Sequence, residues 1–373
     1  MSKVTLGQVA VEVRESTKDP TGLPVVGLEH LVPGELQLTQ WSESSENTFT
    51  RLFHTGQVLF GRRRAYQKKT AVATFDGVCS GDITVIAAKP ERLLPDLLPF
   101  IVSDDRFFDY AMEKSAGSLS PRDKWAQLAE YSFDLPDSTE EQQKLASLLW
   151  AMERTKTAYK NLLAQTDELV KSRFVEMFGD PETNPLGWPQ MRLDNVVTYS
   201  NNGITRRSSD EGGSIVLRIV DLQDGFIDYS NVNRIRIDQK EEKCLLKDRD
   251  MLFVRVNGNP DYVARSAIFS DIGEPVYHND HIIRMRIDAD KASAGFIRAY
   301  TNTNYGKKQL KDHIKTSAGQ YSISQDGIGS IQIYLPPLMQ QEQYISFVNG
   351  VDKSKYRKHV GTSRDGPFIE AMN

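Results

Sequence analysis

The feature that most constrains how this chain can fold is an internal duplication. Four short motifs occur twice in the same order, at offsets that run from 187 residues (Val4 to Met191) to 202 residues (Ser115 to Ser317). The motif pairs are residues 4–10 and 191–197; residues 56–60 and 249–253; Ser115-Ala116-Gly117 with Ser120 and Ser317-Ala318-Gly319 with Ser322; and Leu135-Pro136 before 140–143 and Leu335-Pro336 before 340–343. A chain with this pattern should contain two copies of one domain.

Each copy mixes short β-prone runs with helical segments, which indicates an α+β fold class. The strand signals are residues 71–75 and 83–86 around the Asp76-Gly77 turn, and residues 215–220 and 281–287. Residues 98–112 predict a helix, and residues 294–310 predict a weaker one because two glycines interrupt it. We expect a first domain at 1–137, a spacer helix at 138–180, a second domain at 181–337, a C-terminal helix at 338–358 and an irregular tail at 359–373.

The segment between the copies predicts one long helix. Residues 138–178 contain neither proline nor glycine, Ser138 and Glu141 form a capping-box pattern, and Gly179-Asp180-Pro181 stops the helix. About 40 residues give a rod of roughly 60 Å. The apolar stripe that should bind a partner helix comprises Leu145, Leu149, Met152, Tyr159, Leu163, Leu169 and Phe174. We interpret the segment as a spacer that forms an antiparallel coiled coil with the helix from Leu338; the alternative is a core helix of one globular domain.

Composition excludes several protein classes. The net charge of −4 argues against a wholly basic nucleic-acid binder, although a local basic surface is sufficient for DNA. Cys79, Cys244 and six scattered histidines argue against a disulfide scaffold or a structural zinc site. No apolar stretch long enough for a membrane span and no signal peptide is present, so we expect a cytoplasmic protein without a membrane partner.

Several motifs resemble the central region of specificity subunits of type I restriction-modification systems. They are Tyr-Lys-Asn-Leu-Leu at 159–163, Lys-Ser-Arg-Phe-Val-Glu-Met-Phe-Gly-Asp-Pro at 171–181, Asn184-Pro185 and Gly187-Trp188. The Leu-Pro motif followed by a Glu- and Gln-rich helix start, present twice, is the other hallmark. The resemblance covers residues 1–357.

The resemblance implies two target-recognition domains that each read half of a split site in double-stranded DNA. Paired helices would fix the number of unread bases and dock two methylase subunits, which carry S-adenosylmethionine, and a motor and nuclease subunit would complete the restriction complex. This chain would itself hold no cofactor and no metal. One departure is that the second helix contains Gly350, and Gly361, Gly366 and Pro367 follow it, so it looks shortened to about 20 residues.

In the first copy, residues 61–69 form the densest basic segment. Arginine suits guanine edges and phosphates, and lysine suits phosphates. The candidate DNA-binding residues here are Arg62, Arg63, Arg64, Tyr66, Lys68 and Lys69, joined by Ser118 and Ser120 after Gly117. The alternatives are a solvated charged loop and a plain turn.

In the second copy, the corresponding segment 255–265 is less basic and richer in amides, which suit adenine edges. Its candidates are Arg255, Asn257, Asn259, Tyr262 and Arg265, and further candidates are Arg206, Arg207, Lys315, Gln320 and Tyr321. The difference between the copies predicts an asymmetric DNA target.

Catalysis by this chain is not expected. Asn259-Pro260-Asp261-Tyr262 is only superficially similar to the signature of DNA amino-methyltransferases, and no P-loop occurs. Two other classes stay open: a stand-alone repressor with duplicated DNA-binding domains, and a scaffold whose long helix only assembles partners. A repressor should bind a defined site unaided, whereas a scaffold should show no sequence preference.

Overall fold

The computed structural model describes residues 1–43, 48–115, 124–207, 209–210, 212–317 and 319–351. These residues divide into two compact units, unit 1 at 1–159 and unit 2 at 160–351. The boundary falls inside one long helix. No helix in the described ranges is both long enough and apolar enough to cross a membrane.

Unit 1 is built on three small sheets and short helices. Its strands are β1 (Ser2–Thr5), β2 (Ala10–Val13), β3 (Val25–Val26), β4 (Arg51–Phe53), β5 (Val58–Gly61), β6 (Thr70–Val72), β7 (Gly77–Cys79), β8 (Ile83–Ala88) and β9 (Ser132–Leu135). Its helices are α1 (Leu6–Val9), α2 (Leu98–Ser103), α3 (Asp105–Ser115) and α4 (Trp125–Leu128), with 3-10 turns at Leu28–His30, Ala65–Gln67 and Pro95–Leu97.

The central sheet of unit 1 has the order β2-β8-β5-β6 and separates two hydrophobic clusters. Alternate side chains of a strand point to opposite faces. Val58, Phe60 and Ile86 therefore face the cluster formed with α2 and α3, whereas Leu59 and Val85 face the cluster formed with the sheet β3-β7-β4. Unit 1 is consequently a helix layer and two sheet layers.

Helix α5 (Thr139–Phe178) is 40 residues long, as the absence of proline and glycine predicts. The Ser138 hydroxyl accepts a hydrogen bond from the backbone N–H of Glu141 at 3.2 Å and caps the first turn. The N-terminal part of α5 packs into unit 1 through Leu149, and its C-terminal part packs into unit 2 through Phe174 and Phe178.

Unit 2 repeats the main strands and helices of unit 1 in the same order and adds three short strands that the described residues of unit 1 do not include. Its strands are β10 (Gln190–Arg192), β11 (Val197–Asn202), β12 (Ser214–Leu217), β13 (Asn233–Ile235), β14 (Met251–Val254), β15 (Val256–Asn257), β16 (Ser266–Ile268), β17 (Val276–His278), β18 (Ile282–Ile287), β19 (Lys315–Ser317), β20 (Gln320–Ser322) and β21 (Gln332–Tyr334). Its helices are α6 (Ala294–Thr301), α7 (Asn304–Asp312), α8 (Gln325–Gly329) and α9 (Leu338–Gly350). Its 3-10 turns are Leu193–Val196, Ile219–Asp221, Glu242–Cys244 and Pro260–Tyr262.

The strand pairing shows that the duplication is structural. Sheet β11-β18-β14-β16 repeats the order β2-β8-β5-β6, and β10-β21 repeats β1-β9. The register also repeats, because Val4 lies opposite Phe133 and Met191 lies opposite Ile333. One difference lies in the third layer: the parallel pair β3-β7 adds β4 beside β7, whereas the parallel pair β12-β17 adds β13 beside β12.

Two buried glutamines explain why each copy ends in Leu-Pro and a glutamine-rich helix start. The Gln142 amide donates to the carbonyl of Pro136 at 3.0 Å, and its oxygen accepts from the N–H of Leu94 at 2.8 Å. Gln341 donates to Pro336 at 2.7 Å and accepts from the N–H of Ser293 at 2.9 Å. Each glutamine therefore ties the start of a helix to a loop of its own unit and satisfies buried backbone groups.

The C-terminal helix α9 packs within unit 2 against α6 and against the end of α5. The ring of Tyr344 lies 5.5 Å from that of Phe174 and 5.6 Å from that of Phe178. The prediction of an α+β fold with two similar domains, a long central helix and a C-terminal helix is confirmed. Residues 352–358 of the predicted C-terminal helix and the tail 359–373 lie outside the described residues.

Three local expectations were wrong. The helix predicted at 98–112 is divided into α2 and α3 by Asp104, whose side chain accepts from the N–H of Arg106 at 2.8 Å. The helix predicted at 294–310 is likewise divided into α6 and α7, because Thr303 caps the second helix. The turn predicted at Asp76-Gly77 is instead the start of a strand, because β7 begins at Gly77 and pairs in a different sheet from β6 and β8.

Candidate nucleic-acid interface

Two arginines occupy the same place in the two units. Arg62 follows β5, and its N–H donates to the carbonyl of Asp82 at 3.0 Å. Arg255 follows β14, and its N–H donates to the carbonyl of His281 at 2.8 Å. Both arginines leave the central sheet next to the loop that enters the neighbouring strand, β8 or β18. The duplication therefore places one cation at the end of the equivalent strand in each unit.

In unit 2, further polar side chains gather around this arginine. The Arg255 guanidinium donates to the carbonyl of Asp280 at 2.9 Å. Arg207 donates to the Asp280 carboxylate at 2.7 Å, and its Nη2 lies 3.1 Å from Nε2 of His281. The structure thus joins Arg207 and Arg255, which are far apart in sequence, through the loop between β17 and β18.

A small three-stranded sheet of order β15-β20-β19 continues from Arg255. The carbonyl of Arg255 accepts from the N–H of Ile323 just after β20. In this sheet Asn257 lies opposite Tyr321, and Gln320 lies opposite Ser317. Lys315 and Gln320 are exposed, while Tyr321 also packs against the core. Four of the predicted residues therefore share one sheet: Asn257, Lys315, Gln320 and Tyr321.

The loop after β15 is shaped by its own side chains. The Asn257 oxygen accepts from the N–H of Asn259, and the Asn259 oxygen accepts from the N–H of Asp261 at 3.0 Å. The Arg265 guanidinium lies 4.2 Å from the ring centroid of Tyr262. Such stacking holds an arginine and an exposed aromatic ring together at the surface. The loop thus presents a stacked pair beside two amides.

In unit 1, the basic segment is a tight turn in which several cations already have partners. Lys68 pairs with Asp105 at 2.5 Å, Lys69 donates to the carbonyl of Leu28 at 2.7 Å, and Arg63 lies 3.6 Å from Asp82. Arg64 and Tyr66 are the exposed members, and the Tyr66 side chain is 60% exposed.

Backbone strain marks the same turn. Arg64 has φ 59° and Lys68 has φ 51°, on either side of the turn Ala65–Gln67. Residues other than glycine adopt this left-handed region rarely, and such residues cluster at binding sites and other functional sites. Arg62, with Ser80, Gly81 and Asp82, lines a shallow polar depression beside it.

Other predicted residues lie elsewhere or outside the described part of the chain. Arg206 binds Glu241 at 2.8 Å, which raises the pKa of Arg206, and it also donates to the carbonyl of Arg236. It therefore has different partners from its neighbour Arg207. Ser118 and Ser120 lie outside the described residues.

The predicted partner-binding residues of α5 differ in burial. Leu149 and Phe174 are buried in the cores of their own units. Leu145, Met152 and Leu163 are half-buried, whereas Tyr159 and Leu169 are exposed. Leu162, which the prediction left out, is 45% exposed. The exposed apolar side chains on the outside of α5 therefore include Tyr159, Leu162 and Leu169.

Residues missed from the sequence include Asp280 and His281 in unit 2 and Asp82 in unit 1, which hold the candidate arginines. None of the three is a lysine or an arginine, so a search for Lys- and Arg-rich patches passes over them. Nearby His278 is fully buried, which lowers its pKa to about 3, so its ring is neutral at physiological pH. In the described residues, no cluster of three or more His, Cys, Asp or Glu side chains is arranged to hold a metal ion.

Comparison with known proteins gives relatives of one kind. The chain is 26% identical over 311 residues to the type I restriction enzyme StySPI specificity subunit of Salmonella potsdam, covering 78% of this chain and 66% of that one. It is 22% identical over 287 residues to the EcoKI specificity subunit of Escherichia coli K12, covering 71% and 62%. The chain is related to type I specificity subunits. It spans about two thirds of the length of these relatives, and no protein-family model matches it.

A solved structure agrees with this relationship at the level of the fold. The crystal structure of a type I restriction-modification system S subunit from M. genitalium aligns over 97% of this chain and 92% of its own length, with a TM-score of 0.60. At 12% identity, the likeness shows a shared fold alone and says nothing about which residues of this chain contact a ligand.

Proposed function

We propose that this chain is the DNA-reading subunit of a type I restriction-modification system and that each unit contacts one half of a split target in double-stranded DNA. The observation that carries the proposal is the repetition of one candidate contact site, at Arg62 and Arg255, in a chain related to specificity subunits. Two copies of one reading unit suit a target with two halves.

The two surfaces favour an asymmetric target. Unit 1 offers Arg64 and Tyr66 on a strained basic turn, whereas unit 2 offers Asn257, Lys315 and Gln320 on a small sheet. Arginine pairs best with guanine, and asparagine and glutamine pair best with adenine. The halves of the target should therefore differ in sequence.

Catalysis belongs, in this proposal, to partner subunits. Two methylase subunits would supply S-adenosylmethionine chemistry, and a motor and nuclease subunit would cut DNA, so this chain would be non-catalytic. The apolar side chains exposed on α5, such as Leu162 and Leu169, are available to such partners. Burying them would remove apolar surface from water and stabilise the complex.

The experiment is methylome sequencing of cells that express this chain with its cognate methylase. We expect adenine methylation in a motif of two parts separated by a fixed number of arbitrary bases. A chain in which residues 61–69 are replaced by a neutral turn should change one part of the motif and leave the other part and the gap intact. The matched variant replaces residues 255–265 and should change the other part.

The same experiment tests the alternatives. A single continuous motif, or an unchanged methylome, would contradict the proposal. Tight binding of the isolated chain to one site without methylase would favour the duplicated repressor, and binding without sequence preference would favour the scaffold. The relatives named above are specificity subunits, so they do not support the repressor.

A further inference from the structure

An aspartate lies between the two arginines of the candidate site in unit 2. The Asp280 carboxylate is 20% exposed and accepts from Nη2 of Arg207 at 2.7 Å, while the Asp280 carbonyl accepts from Nη1 of Arg255 at 2.9 Å. A carboxylate repels the phosphates of DNA, so it is an unexpected neighbour for cations that should bind DNA. Asp280 nevertheless contacts both arginines, each through a different oxygen.

Unit 1 shows that the turn itself does not need this aspartate. Residues 80–82, just before β8, occupy the place of residues 279–281, just before β18. In both turns a side-chain oxygen of the first residue, Ser80 or Asn279, accepts from the N–H of the third residue at 3.2 Å. The middle residue of unit 1 is Gly81, where a Cβ atom would lie in open space. The Asp280 side chain therefore serves the arginines and not the turn.

The hydrogens of Arg207 are used in a way that limits what this side chain can bind. One N–H of Nη2 donates to Asp280, and the other donates to Nε2 of His281 at 3.1 Å, because an arginine nitrogen cannot accept. A guanidinium has two flat edges for a bidentate contact, Nη1 with Nη2 and Nε with Nη2, and both edges need Nη2. Arg207 therefore keeps only single donors at Nε and Nη1, which suit a phosphate oxygen better than the paired acceptors of a guanine.

Arg255 keeps the capacity that Arg207 has lost. Within the described ranges of the chain, its guanidinium donates from Nη1 alone, so the edge formed by Nε and Nη2 is unused. The side chain is half-buried, and the carbonyl that holds it is itself fixed, because the N–H of Asp280 donates to the carbonyl of Ile204 at 2.9 Å. An edge held in this way matches the O6 and N7 acceptors of guanine.

We propose that Asp280 is a positioning residue that gives these two arginines different tasks in DNA recognition. Its carbonyl holds Arg255, whose unused edge reads a guanine in the half of the target that unit 2 contacts. Its carboxylate occupies Nη2 of Arg207 and thereby restricts Arg207 to a phosphate. Without this restriction, Arg207 would make bidentate contacts at many sequences and lower the specificity of unit 2. The inference rests on the proposed function and adds a guanine to the bases that the amides of unit 2 suit.

The first test separates the tasks of the two arginines. It is competition binding of the complex of this chain with its cognate methylase to the two-part target and to DNA of arbitrary sequence. Arg255→Ala should lower the preference for guanine at one base pair of the unit 2 half roughly tenfold and leave the salt dependence nearly unchanged. Arg207→Ala should weaken binding to all sequences alike and reduce the slope of log affinity against log salt concentration by about 1.

The conservative variant Arg207→Lys should restore affinity and slope, because a lysine also binds a phosphate as a point charge. Loss of guanine preference in Arg207→Ala, or loss of the salt slope without loss of preference in Arg255→Ala, overturns the proposal.

The second test addresses Asp280 itself. Asp280→Asn removes the charge but keeps an oxygen that accepts from Nη2 of Arg207, so affinities for target and arbitrary DNA should rise by the same factor. Asp280→Ala releases Nη2, so affinity for arbitrary DNA should rise roughly tenfold more than affinity for the target. Equal ratios of the two affinities in Asp280→Ala and Asp280→Asn would show that only the charge matters, which overturns the proposal.

The matched control is Glu241→Ala. Glu241 accepts from Nη2 of Arg206 at 2.8 Å, so this variant also removes one carboxylate from one arginine. Arg206 has different partners from Arg207, and the ratio of the two affinities should therefore stay that of the wild type. A fall in the ratio as large as that of Asp280→Ala would contradict a specific role of Asp280.

Failure of this inference can be told apart from failure of the proposed function. A two-part methylation motif together with equal behaviour of the two Asp280 variants removes only the role of Asp280. If the chain directs no two-part motif, the proposed function fails and this inference fails with it.

Discussion

Units 1 and 2 have the same strand order in their central sheets but bury a different side chain at one equivalent position. In unit 1, Val85 of β8 is fully buried between β2 and β5. In unit 2, the equivalent residue of β18 is Arg284, which is 2% exposed and lies between β11 and β14. The same sheet therefore accepts an apolar side chain in one copy and a charge in the other.

The buried charge is accommodated by a network that has no counterpart among the described residues of unit 1. Arg284 donates to the carbonyls of Lys243 and Leu245 and stacks on the ring of Tyr199 at 4.6 Å. Asp250 lies 3.8 Å from Arg284 and accepts two hydrogen bonds of 2.7 Å from Arg286. Burial lowers the pKa of Arg284, but the network keeps its charge partnered. The sheet therefore needs a side chain that fills this buried position, but it does not need an ion pair there.

The largest effect should come from removing the anion of this network. Asp250→Ala leaves buried Arg284 without its nearest carboxylate, and we expect a loss of about 3–5 kcal/mol in the free energy of unfolding of unit 2. The measurement is denaturant unfolding followed by probes in each unit. Gln57→Ala is the matched control, because Gln57 and Asp250 each accept a hydrogen bond from the N–H three residues earlier, at 2.8 Å in both. A similar loss for both variants would show that Asp250 contributes no more to the stability of unit 2 than the neutral Gln57 contributes to that of unit 1.

A double variant sharpens the same point. Asp250→Gln with Arg284→Val gives unit 2 the residues of unit 1 at both positions. Removing both partners of a buried ion pair costs far less than removing one of them, because no buried charge is left without its partner. We expect the double variant to recover most of the stability that Asp250→Ala loses, since Arg286 is 26% exposed and can reach water. Failure to recover would mean that unit 2 depends on the charge itself.

The buried glutamines should give the next largest effect, and an equal one in the two units. Gln142→Ala and Gln341→Ala each leave a buried proline carbonyl and a backbone N–H unpaired, which should cost about 2–3 kcal/mol in the unit concerned. Unfolding of each variant measures the loss. The exposed neighbours Gln143→Ala and Gln343→Ala should change little. Unequal losses would show that only one of the two glutamines serves as a structural tie.

The arginines at the strand ends should give smaller, separable effects on DNA. Arg62→Ala and Arg255→Ala should each reduce sequence discrimination roughly tenfold at one half of the target only. The measurement is competition binding with targets altered in one half at a time. Arg206→Ala is the control, because Glu241 already holds Arg206. Loss of discrimination at both halves by one variant would contradict the assignment of one half to each unit.

The smallest effect should be a pH dependence confined to unit 1. His54 lies 3.0 Å from Asp76 and 3.1 Å from Glu15; hydrogen bonds to these carboxylates raise the pKa of His54, and His54 in turn lowers the pKa of Asp76 to about 2. The stabilisation from protonated His54 is full below its ordinary pKa of 6.5 and is lost as pH rises through the raised value. The stabilisation from ionised Asp76 is present above pH 3.8, the ordinary pKa of an aspartate, and is lost as the pH falls towards 2.

The matching residue in unit 2 is Lys247, so the described residues of unit 2 have no histidine at this position. The thermal stability of unit 1 should therefore fall more steeply with rising pH, between about pH 5 and 8, in the wild type than in the His54→Gln variant. All three side chains are exposed, so water and salt screen the effect. An identical pH profile for the variant would rule out the cluster as its source.

The sequence predicted the parts of the fold that rest on local pattern. The 40-residue helix followed from the absence of proline and glycine, and the duplication followed from motifs in a repeated order. The break at Asp104 was missed, because the apolar pattern of α2 continues into α3 and only the side-chain cap divides them. Strand β7 was missed because its pairing with β3 and β4 is long-range.

For the candidate site, the sequence indicated the residue types but not their neighbours. Arg255 and Asn257 were selected for their chemistry, and Tyr321 for its repeat motif. That Arg207 reaches Arg255 through Asp280, and that Asn257 pairs with Tyr321, depends on contacts between distant segments. Pattern along a chain cannot report such contacts.

The sequence by itself determined that the chain contains two copies of one domain, that a long helix joins the copies, and that each copy ends in Leu-Pro and a glutamine-rich helix. These properties depend on backbone propensity and on repetition, which are local and can be read along the chain. Only the tertiary structure decided which glutamine is buried, which arginine lies at the end of a central strand, and why Arg284 can occupy in unit 2 the position that Val85 occupies in unit 1. Those outcomes depend on burial and hydrogen-bond partners supplied by residues far away in sequence, and they exist only once the sheets have formed.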